Sequence, residues 1–192
     1  MGLLDQWEHQ FPNCEPMAHL LKTVFKDRWV RFHSLPESKR YPEDETEYAV
    51  VLDRHNRVLS ELANAERSLV LLTTEFSESP TPLLTRPELR ALDPEAVPWR
   101  SIPMHELDGD FDNPNFWHVL ASVREWHPGA FDPIVRLVAN DVVPNVMIVN
   151  PDCRWLLHPY DGGMDVIAET SVERERLKLS HADWLSSEHD GL

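Results

Sequence analysis

The stretch Trp155-Leu156-Leu157-His158-Pro159-Tyr160-Asp161-Gly162-Gly163-Met164-Asp165-Val166-Ile167 decides the fold. Apolar runs flank Asp-Gly-Gly, which reads as two strands joined by a primed turn, because that turn needs positive φ and Gly or Asp adopts it at little cost. Side chains sort by parity along the two arms. Trp155, Leu157, Pro159, Met164, Val166 and Ala168 take the core face, and Leu156, His158, Tyr160, Asp165 and Ile167 take the other. If Asp161-Gly162 is the turn, His158 lies opposite Asp165; if Gly162-Gly163 is, Tyr160 lies there instead. Either register gathers an imidazole, a phenol and a carboxylate on one face.

Outward from the hairpin, Asn145 to Val149 reads as a preceding strand, and Thr170 with Glu173 as a capping box opening a last helix that buries Leu177, Trp184 and His181. Upstream, Asp132-Pro133 starts a short helix through Ala139. Asn113 as N-cap and Pro114 at the first position predict a helix with the stripe Phe116, Trp117, Leu120 and Val123, ended by His127-Pro128-Gly129. Seven prolines from Pro80 to Pro114 make residues 77–113 an ordered loop, with one helical turn over Arg86 to Leu92 and an edge strand over Trp99 to Ile102. Ser68 to Thr74 is a short apolar run that suits a buried strand. Glu43 to Glu66 reads as a long helix striped by Tyr48, Val51, Leu52, His55, Leu59 and Leu62, its acidic first turns placed against the helix dipole. Arg28 to His33 alternates as a strand, and residues 1–26 form a helical arm of two short helices. The order predicts a single α+β domain over residues 1–192, a mixed sheet with an antiparallel C-terminal meander, covered by helices.

Composition removes several functions. The six glycines, at positions 2, 109, 129, 162, 163 and 191, cannot supply G-x-G-x-x-G, a phosphate-cradling P-loop or a G-x-S-x-G elbow. A 42% apolar fraction with seven tryptophans and seven phenylalanines belongs to a folded chain. The net charge of −15 argues against nucleic acid, which needs a positive field, and is compatible with a basic protein partner. Residues 22–40 reverse that sign, with six cations against Asp27 and Glu37, a net of +4 that leaves −19 for the remainder. No twenty-residue apolar run or signal-type segment occurs, and Cys14 and Cys153 form no C-x-x-C, so the expectation is a reducing cytoplasm with both thiols free and no membrane partner.

Two constellations carry candidate chemistry. His158, Tyr160 and Asp165 form a candidate catalytic group, with His158 as base and Asp165 orienting it, although a cross-strand pair that satisfies buried polar groups is the commoner arrangement. Arg31, His33, Lys39 and Arg40, with Ser34, form a candidate anion site on one strand and its loop; their competing partners are the carboxylates of Glu43 to Glu47. The run Asp108, Asp110, Asp112 matches the opening of a calcium loop, but Val119 stands where the bidentate Glu is required, and no metal or cofactor is assigned.

The strings Trp29-Val30-Arg31-Phe32-His33-Ser34-Leu35-Pro36-Glu37-Ser38-Lys39-Arg40-Tyr41 and His158-Pro159-Tyr160-Asp161-Gly162-Gly163-Met164-Asp165-Val166 resemble an uncharacterised bacterial domain-of-unknown-function family. At its C-terminal end that family is similar to proteins placed near toxin-immunity genes. The resemblance implies a bacterial cytosolic protein and brings no assigned catalytic residues. The resulting expectation is a non-catalytic, immunity-like interaction module whose acidic surface engages a basic protein; the alternative is a small enzyme or anionic-ligand-binding domain where the two strings meet.

Overall fold

The computed structural model describes residues 2–83, 86–108, 112 and 114–186. Its strands are β1 (Trp29–His33), β2 (Ser68–Ser77), β3 (Val97–Pro103), β4 (Phe116–Glu125), β5 (Met147–Val149), β6 (Leu156–Tyr160) and β7 (Gly163–Ile167). Its helices are α1 (Leu3–Gln10), α2 (Ala18–Val24), α3 (Glu45–Ala63), α4 (Pro87–Leu92), α5 (His105–Asp108), α6 (Asp132–Ala139) and α7 (Ser171–Ser180). The strands form one sheet in the order β1-β7-β6-β5-β2-β4-β3. The α+β class and the β5-β6-β7 meander are both present, but every pairing is antiparallel, so the sheet is not mixed. A parallel pair needs a crossover between neighbouring strands. Here α3 instead joins β1 to β2, which three other strands separate in the sheet.

Helices cover both faces. On one, Val51 and Leu59 of α3, Ile134 and Val138 of α6 and Leu177 of α7 pack with Phe32, Leu157 and Val166. On the other, Trp7 and Phe11 from the arm and Leu21 of α2 pack over Leu72, Val119, Leu156 and Ile167. Each such fully buried side chain contributes about 2 kcal/mol of transfer free energy. Helix α3 starts where Asp44 accepts a hydrogen bond from the Glu47 N–H at 2.9 Å. The last helix starts where the Thr170 hydroxyl accepts from the Glu173 N–H at 3.1 Å.

The helix expected from Pro114 to Trp126 is instead the interior strand β4, next to the edge strand β3, and the proposed N-cap Asn113 lies outside the described residues. Trp117, Val119 and Ala121 turn to one face while His118, Leu120 and Ser122 turn to the other. A strand paired on both edges and buried on both faces loses clean alternation, so the apolar positions imitate a helical stripe.

The hairpin turn also differs. Asp161-Gly162 joins the arms and sets His158 opposite Asp165, yet neither turn residue has positive φ, so the turn is not primed. The hairpin is held from outside: the Asp161 carboxylate accepts from Arg40 Nε at 2.6 Å and from the Tyr41 hydroxyl at 2.9 Å, while the Gly162 carbonyl accepts from the Ser34 N–H at 3.0 Å. The demanding glycine is Gly163. A Cβ there would stand 2.1 Å from the Phe32 carbonyl oxygen, so only glycine lets β1 lie beside β7 at this point.

Candidate functional site

The two sequence strings meet. Because β7 lies between β1 and β6, Arg31, Asp165 and His158 form one row across three strands, and His33, Gly163 and Tyr160 form the next. Arg31 holds both oxygens of Asp165, Nε at 2.7 Å and Nη2 at 2.8 Å, and its guanidinium lies 4.7 Å from the Tyr160 ring centre and 5.5 Å from that of Trp29. Burial opposes the arginine's charge, but the Asp165 hydrogen bonds and charge outweigh it and raise its pKa. Burial pushes the Tyr160 hydroxyl up to about 12.

His158 makes a different bond from the one its register invites. Its Nδ1–H donates to the Val146 carbonyl oxygen at 2.7 Å, because a carbonyl can only accept, and Asp165 is already committed to Arg31. The ring is half-buried by surface area yet densely surrounded, and desolvation lowers its pKa.

The candidate anion-site cations are likewise engaged. Lys39 Nζ reaches Glu47 at 2.6 and 2.7 Å and Glu43 at 3.3 Å, and Arg40 reaches Asp161. His33 Nε2 is buried without a hydrogen-bond partner, and burial followed by the Arg31 and Arg54 charges lowers its pKa. The geometry is a ladder of satisfied charges. An incoming anion would have to displace a carboxylate from each of the three cations.

Of the calcium-like run, the Asp108 side chain and all of Asp110 lie outside the described residues, and Asp112 is exposed. No group of three or more potential metal ligands occurs among the described residues.

An open concavity lies elsewhere, at the end of α3. It has a volume of about 740 Å³ and is walled by Glu61, Glu66, Glu169 and Glu173 with Arg154 and Arg176, over the buried Trp155. Arg154 lies 3.3 Å from Glu169 and 3.7 Å from Glu66, and Arg176 lies 2.8 Å from Glu61 and 3.4 Å from Glu173. The Asn150 side-chain carbonyl accepts from the Arg154 and Trp155 N–H groups, fixing the floor of the groove. Four carboxylates against two guanidiniums leave this concavity acidic. The sequence pointed only to a dispersed negative charge, since the wall comes from segments about ninety residues apart, too distant for any spacing rule to relate.

A family model matches the chain from Met17 to residue 189, a span that includes the β1 string, the hairpin and the groove but starts after α1. The chain belongs to the DUF3885 family, a domain of unknown function. No curated protein and no solved structure matches it. The DUF3885 span therefore contains both strings that carried the resemblance, while no residue role comes with it. No described helix is long and apolar enough to cross a membrane.

Proposed function

We propose that this bacterial, cytoplasmic domain is a non-catalytic protein-interaction module, immunity-like in kind, whose acidic groove receives a basic segment of a partner protein. The observation that carries this reading is the groove itself, an open concavity in which carboxylates outnumber guanidiniums two to one on a chain of net charge −15. Each wall arginine already shares its charge between two or more carboxylates, so an incoming Arg or Lys meets partly neutralised acids that still exceed the local cations. The test is calorimetric titration of the full chain with an oligo-arginine peptide. Binding that weakens as salt is raised, and is lost in the Glu66→Lys/Glu169→Lys double variant, supports the reading. Binding that ignores both changes, or no binding at low salt, sinks it.

A second reading, an enzyme or anionic-ligand site at His158, Tyr160 and Asp165 beside Arg31, His33, Lys39 and Arg40, draws on the adjacency of the two strings in the sheet. Against it stand the closed Arg31–Asp165 pair and the commitment of His158 to Val146. Titration with inorganic phosphate, followed through the imidazole resonances of His158 and His33, decides between them; unmoved resonances remove the anion site.

A further inference from the structure

The β2-β4-β3 end of the sheet carries a cross-strand row that neither reading uses: Glu75 on β2, His118 on β4 and Ser101 on β3. His118 is fully buried, and its ring stacks on Phe116 with 7° between the planes. Both ring nitrogens face hydroxyls at 2.8 Å, Nε2 that of Ser77 and Nδ1 that of Ser101. The Ser79 carbonyl oxygen lies 3.1 Å from Nε2, and a carbonyl can only accept, so Nε2 carries the hydrogen. The Ser77 hydroxyl donates to that same carbonyl at 3.0 Å, which leaves its lone pair for Nε2–H. Nδ1 is then a bare lone pair, and the hydrogen in the remaining contact belongs to Ser101. Burial lowers the His118 pKa against the opposing pull of the Ser79 carbonyl and Glu75, so the ring is neutral at neutral pH. Glu75 is the charged group facing the ring from β2, and its carboxylate accepts from the Arg86 N–H at 3.3 Å.

Ser77 and Ser101 differ in access. Ser77 is half-buried, whereas Ser101 is exposed on the edge strand β3. The hydroxyl of an exposed residue donates to a buried neutral imidazole whose other nitrogen is fixed by a backbone carbonyl, which is the nucleophile, base and orienting group of a serine acyl-transfer site. We propose that Ser101 is a nucleophile toward carboxylic esters, with His118 as its general base. Ser101 Oγ bonds to the ester carbonyl carbon while its proton passes to His118 Nδ1. The bond from that carbon to the alcohol oxygen breaks, the alcohol leaves with the proton, and acyl-Ser101 remains. Water then adds to the acyl carbon, gives a proton to Nδ1, and the carboxylic acid departs as Ser101 recovers its hydrogen.

The test uses the full chain and a fluorophosphonate probe, whose phosphorus bonds to Oγ while fluoride leaves with the proton. The expected result is a single adduct that peptide mapping places on Ser101, absent from Ser101→Ala, and formed roughly 10²-fold more slowly or worse in His118→Gln. Wild-type protein that stays unlabelled, or carries the adduct elsewhere, overturns the proposal. Since His118 is a core residue whose replacement can unfold the chain, Ser101→Cys supplies a second reading through alkylation by iodoacetamide at neutral pH. The background is silent, because burial pushes the thiols of Cys14 and Cys153 up to about 11 and about 12. Beside His118 the new thiol reacts at least about tenfold faster than a free cysteine peptide, whose pKa is about 8.5. An equal or slower rate overturns the proposal independently of the histidine variant.

Discussion

The two ends of the sheet bury polar groups by different means. At the β1-β7-β6 end, charge is cancelled in place: Arg31 clasps Asp165 with two hydrogen bonds, between the rings of Trp29 and Tyr160. At the β2-β4-β3 end, His118 is held by neutral hydroxyls and a carbonyl, and Asp93 is held by the Ser122 hydroxyl and the half-exposed Arg124. A bidentate ion pair is geometrically rigid and strongly coupled to its own burial. A neutral hydrogen-bonded chain leaves a proton that can move. The end that resembles an active site in sequence is therefore the locked one.

The largest expected effect tests how tightly the locked end is built. Gly163→Ala places a Cβ 2.1 Å from the Phe32 carbonyl, against backbone that cannot yield without unpairing β1. The expected loss is about 5 kcal/mol or failure to fold, measured by urea denaturation. Gly162→Ala meets the Tyr160 ring edge at 3.1 Å, a side chain that can shift, so its expected cost is below about 1 kcal/mol. Equal costs for the two variants would mean that the close approach of β1 and β7 is not what the glycine serves.

Next comes the ion pair. Asp165→Ala strands an arginine whose side chain is only 15% exposed, and about 4 kcal/mol should be lost. Arg31→Leu combined with Asp165→Leu should recover most of it, since burying neither charge removes the penalty. The counterpart at the other end is Asp93→Ala. Arg124 is 34% exposed and can turn to water, so the cost there is nearer about 2 kcal/mol. Denaturant midpoints that reverse this order would undo the contrast between the two ends.

Between those magnitudes lies a pH effect. His55 is fully enclosed in α3, its Nδ1–H donates to the Val51 carbonyl at 2.8 Å, and burial lowers its pKa from 6.5 to about 4. Below 6.5 the unfolded chain takes up a proton that the folded chain refuses until about 4, so stability falls as pH drops through that window and is level below it. The expected loss from this group is about 3 kcal/mol at most, and the lowered pKa values of His158, His118 and His33 act with the same sign. His55→Gln should flatten the slope between pH 6.5 and 4.5. An unchanged slope would assign the acid sensitivity to the other histidines.

The same contrast explains what could be read beforehand. The β1-β7-β6 end was legible in outline because a two-residue hairpin allows only two registers, one placing His158 and the other Tyr160 opposite Asp165, and the sheet takes the first. What it could not supply was the competition for each partner. Arg31 outbids His158 for Asp165 because β1 lies on the other side of β7, a fact of strand order that no spacing contains. At the β2-β4-β3 end the positions of Phe116, Trp117, Leu120 and Val123 imitate a helical stripe. On a helix His118 has no relation to Ser77 or Ser101, whereas on a strand it faces both. The clue within the sequence was the density of aromatic and β-branched residues from Phe116 to Val123, which favours a pleated surface over a helix.

The smallest expected effect concerns the free edge of that second end. Val97 on β3 is 60% exposed, and among the described residues β3 pairs only with β4, an arrangement open to pairing with another chain. Pro98, Pro103 and the irregular register between Pro98 and Arg100 break the row of donors that a second strand would need. If the prolines and the bulge protect this edge, the side chain at 97 is of little consequence. Val97→Lys should then change stability by less than about 0.5 kcal/mol and leave light scattering unaltered. Pro98→Val is the sharper comparison: it restores an N–H to the edge with little change in bulk, so concentration-dependent association should appear in that variant and not in Val97→Lys. If neither variant associates, protection of the edge must come from the surface around it, and the bulge would be a consequence of fitting β3 to the crowded His118 row rather than a guard against pairing.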